Sequence, residues 1–80
     1  MLSELKTKQK IVGIKQIRKA LKEKTVEKVF LAVDADPALT APLIHQAEQE
    51  QVPCVRVPTM KELGKACGID VGASAAAILS

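Results

Sequence analysis

An 80-residue chain that is 48% hydrophobic and 26% charged has material for one buried core and little beyond it, so a single domain over residues 1–80 is expected and disorder is not. No apolar run approaches the roughly 20 residues that cross a bilayer, and charge within residues 1–10 argues against a secretory signal, so no membrane contact and a cytoplasmic location are expected. The net charge of +3 is unevenly spread: residues 1–28 carry nine Lys/Arg against three acids (+6), and residues 29–80 carry three against six (−3). One cationic third suits a polyanionic partner, and equally a solvated face.

Ser3 can cap a first helix reaching about Lys10, followed by a brief strand at Ile11 and Val12. Gly13 opens a second helix to about Glu23, with Ile14, Ile17 and Leu21 on one face and Lys15, Gln16, Lys19 and Lys22 on the other. Val29 to Val33 is a continuous apolar run, the pattern of a strand buried on both sides. A turn from Asp34 to Pro37 leads into a third helix ending near Gln51, with Leu39, Leu43, Ile44 and Ala47 facing inward. Cys54, Val55 and Val57 form a strand expected to pair in parallel with the preceding one. Thr59 to Glu62 reads as a capping box for a fourth helix that runs to Cys67 and stops at Gly68. A loop from Gly68 to Ser74 precedes a last strand, Ala75 to Leu79. The expected fold is α/β, a three-layer α/β/α sandwich around a small mixed sheet.

Catalytic signals are weak. His45 is the only histidine, and no nucleophile–base set, phosphate-cradling glycine loop or metal-ligand cluster is visible. Asp34 and Asp36 are the one close acidic pair, and Asp36 before Pro37 is better explained as a helix N-cap than as a magnesium ligand. Cys54 and Cys67 lack Cys-x-x-Cys spacing and read as buried thiols in a reducing compartment. No enzyme activity, cofactor, metal or small-molecule substrate is expected.

A nucleic-acid reading has two supports and one constraint. Phe30 is the only aromatic residue and lies in the buried strand, so stacking bases on aromatic platforms is not available. Recognition would have to use charge, hydrogen bonds and shape. Gly13 allows close approach to a helix N-terminus, where Lys15, Gln16 and Lys19 can meet base edges if a groove is distorted. In the loop, Ile69 and Val71 stand between glycines where polar residues are usual; they either pack an unpaired base or tuck into the core.

Three stretches, Gly13 to Lys19, Leu31 to Pro37 and Glu62 to Val71, together resemble the kink-turn-binding ribosomal-protein family of archaea and eukaryotes, specifically its short bacterial members. The resemblance implies a four-stranded sheet and binding to kink-turns, stems bent sharply beside tandem sheared G·A pairs. It implies that Gly13, Lys15, Gln16 and Lys19 meet the G·A pairs and that Ile69, Asp70 and Val71 meet the extruded nucleotide; Ile14, Gly72 and Ala73 complete the expected RNA-binding set. Lys15 and Gln16 stand where the archaeal pattern has Asn and Glu. The expected function is therefore binding of structured RNA with kink-turn character, ribosomal RNA included. The alternative is a protein-interaction module of a ribonucleoprotein without specific RNA readout.

Overall fold

The computed structural model describes residues 9–69 and 71–80. Strand β1 (Lys10–Val12) leads into helix α1 (Ile14–Lys22), then β2 (Val26–Ala32), α2 (Pro37–Gln49), β3 (Cys54–Val57), α3 (Met60–Ala66) and β4 (Ala75–Leu79). The helix expected from Ser3 lies outside the described residues, save that Lys10 already belongs to β1. The sheet order is β1-β4-β2-β3. β4 runs antiparallel to both β1 and β2, and β2 pairs in parallel with β3. The sheet is mixed and four-stranded, as expected.

Period-2 alternation divides β2 and β4 between two cores. Phe30, Ala32, Ala76 and Ile78 pack with Leu63, Ala66 and Cys67 of the α3 side. Val29, Leu31, Ala75 and Ala77 pack with Ile17, Ala20 and Leu21 of α1 and Leu43 and Ala47 of α2. The register sets Val29 opposite Ala77, Phe30 opposite Ala76 and Leu31 opposite Ala75. Val29, Phe30 and Leu31 thus each lie beside an alanine, so large side chains face small ones in both layers.

Four sequence readings are corrected. Leu39 is 47% exposed, and Thr40 takes the inner position, because Thr40, Leu43, Ile44 and Ala47 are the set that keeps i, i+3, i+4, i+7 spacing. Val33 is 60% exposed; its N–H still donates to the Val57 carbonyl at 2.8 Å, but the chain there has left the two layers. Cys54 is only half-buried, on the edge strand β3, whereas Cys67 is buried. Burial pushes both thiols above their usual pKa, and the Glu48 charge adds to this at Cys54, so neither is poised as a thiolate. α3 ends at Ala66, with Cys67 as its C-cap.

The acidic pair is committed to helix starts. Asp36 Oδ1 accepts from the Ala38 N–H at 2.9 Å and caps α2, with Pro37 as its first residue. Asp34 Oδ1 accepts from the Met60 N–H at 2.8 Å and ties the end of β2 to the start of α3. Asp34→Ala should lower stability by about 0.5–2 kcal/mol, the usual cost of a lost cap, read by urea denaturation. An unchanged midpoint would mean that the tie contributes nothing.

Candidate nucleic-acid interface

β1, β2 and β3 run in one direction, so α1, α2 and α3 all begin at the same end of the sheet. Their starts differ. The side chain of Asp36 caps α2 and that of Thr59 caps α3, whereas α1 starts at Gly13 with no side-chain cap. First-turn N–H groups have no intrahelical partner, so those of α1 are open to an acceptor from outside. α1 has no acid in its first turn, and Lys15, Gln16 and Lys19 are all exposed. The open end therefore combines free N–H donors, the positive end of the helix dipole and the Lys15 ammonium, with Lys19 further along the same exposed face in the last turn.

Gly13 has φ 114°, a region that disfavours any residue with a Cβ. Among the described residues beyond its chain neighbours, no atom lies within 4 Å of where that Cβ would sit, so the space in front of the backbone is open. Gly13→Ala should lower stability by about 1–3 kcal/mol through backbone strain alone, without a clash. A shift in thermal midpoint of about 4–8 °C per kcal/mol is expected for a domain this size; no shift would show that the turn relaxes freely.

α1 is held from behind. Arg18 Nε donates to Gln46 Oε1 at 3.3 Å, and Gln46 Nε2 donates to the Arg18 carbonyl at 2.8 Å, which fixes α1 against α2. Ile17 and Leu21 are fully buried beneath it. Ile14 is half-buried and packs against this core, so its side chain turns inward rather than joining the lysines.

The loop between α3 and β4 folds back along α3. The Ile69 N–H donates to the Gly64 carbonyl and the Ala73 N–H to the Met60 carbonyl, each at 3.0 Å. Between these ties the chain crosses Gly64 so closely that a Cβ there would lie 2.0 Å from the Val71 carbonyl oxygen. With its backbone pinned down, the loop turns its side chains outward: Val71 is 70% exposed and Ile69 36%. The reading in which both tuck into the core is thereby excluded. Ala73, by contrast, is buried in the α3-side core, so its side chain is not a surface group; that expectation is corrected. Asp70 lies outside the described residues.

The exit of the loop and the start of α1 meet at one end of the sheet. The Gly13 N–H donates to the Ala75 carbonyl at 3.3 Å, and Val12 pairs with Ala76. The chain thus leaves β1 into the basic helix beside the point where the apolar loop enters β4. Reasoning from sequence missed Lys61 and Lys65, both exposed on α3 and lining, with Ile69, Val71 and Gly72, an open groove of about 340 Å³. Their i, i+4 spacing was the available signal. Among the described residues no group of three His, Cys, Asp or Glu could hold a metal, and no helix is long and apolar enough to cross a membrane.

The profile of the ribosomal protein L7Ae/L30e/S12e/Gadd45 family matches residues 2–80. The chain belongs to this family. An RNA-binding protein of Bacillus pumilus is 52% identical over 69 residues, covering 86% of this chain and 84% of its own. RNA-binding protein YbxF of Geobacillus stearothermophilus is 45% identical over 69 residues, with the same coverage. Among solved structures, a 15.5 kD RNA-binding protein of Giardia lamblia superposes with a TM-score of 0.86 at 28% identity, covering 99% of this chain and 65% of that one. A protein of unknown function from Bacillus halodurans C superposes at 0.88 with 25% identity, covering 99% and 83%. These neighbours share the α/β fold with its three helices and four-stranded mixed sheet.

Proposed function

We propose that this chain is a non-enzymatic RNA-binding protein whose ligand is a bent, bulged stem of the kink-turn type with sheared G·A pairs. The observation that carries the reading is the uncapped, basic start of α1 at the end of the sheet where an outward-facing apolar loop enters β4. Membership of the L7Ae family, with bacterial relatives that are RNA-binding proteins, supports it.

In this reading, Gly13 lets the RNA approach the open helix end. Lys15 and Lys19 supply charge and donors to guanine edges and phosphates, and Gln16 donates and accepts at a base edge. Ile69, Asp70, Val71 and Gly72 meet the unpaired nucleotide. Phe30 is fully buried, so base stacking on an aromatic ring plays no part. Ribosomal RNA is the first natural source to examine, because ribosomal proteins give the family its name.

Gel shifts with a kink-turn stem, and with the same stem whose G·A pairs are made Watson–Crick, test the proposal. Preference for the kink-turn by at least about tenfold is expected, corresponding to one or two specific contacts of about 1–3 kcal/mol each. Equal affinity for both would reject specific readout. Exposed Val33 and Leu39 near the start of α2 favour a second reading, a protein-docking module; it requires partner binding that survives high salt, with no discrimination among RNAs.

A further inference from the structure

We propose that the groove between α3 and the loop is a backbone-binding subsite for the unpaired strand of the bound RNA, with Lys61 and Lys65 gripping successive phosphates. The inference rests on the RNA-binding reading above and extends it to residues outside α1 and the loop.

Four observations point to this occupant. Lys61 and Lys65 are one helical turn apart on α3, with Cβ atoms about 5–6 Å apart on one face, and both are exposed. Residues 29–80 contain only three basic residues, Arg56, Lys61 and Lys65, in a stretch of net charge −3. Two of those three flank one groove, which a general need for solubility does not explain. Among the described residues neither ammonium forms an ion pair. Among the described residues the opposite wall is Ile69, Val71 and Gly72, which offer aliphatic surface and bare backbone.

Two cations facing an aliphatic wall match a nucleotide strand, phosphate on one side and sugar or base on the other. An acidic peptide would satisfy the lysines and leave Ile69 and Val71 facing carboxylates. The groove is also built in advance. The loop is hydrogen-bonded to α3 at Gly64 and Met60 and pressed against Gly64, so little ordering is needed on binding.

The test is the full-length double variant Lys61→Ala/Lys65→Ala, titrated against a kink-turn stem and against a fully paired duplex at several salt concentrations. Thermal melting confirms the fold, which two exposed truncations should not disturb. Loss of two single-strand phosphate contacts should make the slope of log K against log salt shallower by about 1.4. Affinity for the kink-turn should fall on the order of tenfold near 0.1 M salt. The Lys61→Arg/Lys65→Arg pair should restore the slope. Methylphosphonate linkages in the bulge should weaken the wild type and leave the alanine variant unaffected.

A wild-type chain that prefers the kink-turn, with a double variant matching it in affinity and slope, overturns this inference alone. A variant deficient only in binding an acidic peptide does the same. A wild-type chain that binds no RNA overturns the parent reading and this subsite with it.

Discussion

Replacing Gly64 by alanine is expected to lower stability by about 2–3 kcal/mol and to remove discrimination among RNAs at the same time. The added methyl would sit 2.0 Å from the Val71 carbonyl oxygen and 3.2 Å from the Gly72 Cα, all backbone atoms. No rotamer change relieves such a contact, so either α3 or the loop must move. Overpacking of this kind costs about 1–3 kcal/mol. An 80-residue domain has on the order of 4–12 kcal/mol in total, so the variant should fold with a midpoint depressed by roughly 10–20 °C. The loop is the weaker element, held over this stretch by the two hydrogen bonds to Gly64 and Met60. It should lift, carrying Ile69 and Val71 away from their present positions. Measured well below the midpoint, residual RNA binding should lose its preference for the bulged stem while keeping its salt dependence. Full retention of both stability and preference would mean that the close crossing at Gly64 does not set the loop's position.

The second large effect is expected from truncating Lys15 and Gln16 together. Both are exposed at the first turn of α1, and truncating them removes no core contact. Each specific base-edge contact is worth about 1–3 kcal/mol. Because the two are neighbours, their effects need not add, and a joint loss of about 2–4 kcal/mol is expected. That is roughly 30- to 700-fold in affinity, directed at RNA with intact G·A pairs. Against a stem with Watson–Crick pairs the loss should be confined to the charge of Lys15. A uniform loss across both RNAs would reduce the role of α1 to electrostatics. The thermal midpoint should not change.

Much of this architecture was legible in the sequence because its signals are local. Asp36 before Pro37, Thr59 before Glu62 and Gly68 after Cys67 mark helix ends through bonds within a few residues. Amphipathic spacing in α1 placed Ile17 and Leu21 inward and the lysines outward. The misses have non-local causes. Pro37 and Pro42 bracket α2's first turns and obscure its phase, so the sequence favours Leu39 over Thr40 as the buried residue. Ala75 to Leu79 has no polar alternation, and nothing within it says that it lies between β1 and β2. Its position follows from pairing alanines with Val29, Phe30 and Leu31.

The candidate site divides in the same way. Gly13, Lys15, Gln16 and Lys19 are contiguous on one helix, so their grouping was readable. Whether Ile69 and Val71 face outward depends on Gly64, which permits the loop to lie flat on α3. Ala73 looked like part of an exposed loop, yet the backbone bond to Met60 turns it into the core. Lys61 and Lys65 line a groove only because the loop folds back beside them.

The central claim is that one end of the sheet, α1 start and loop together, forms a single RNA-binding surface. Amide chemical-shift mapping of the 15N-labelled chain during titration with a kink-turn stem tests it most directly. The account predicts the largest shifts at Gly13, Lys15, Gln16 and Lys19 and at Ile69, Val71 and Gly72, saturating together at one equivalent of RNA. Lys24 and Gln51, in the turns at the far end of the sheet, should not move. Shifts centred on those turns, or α1 and loop signals saturating at different RNA ratios, would contradict it.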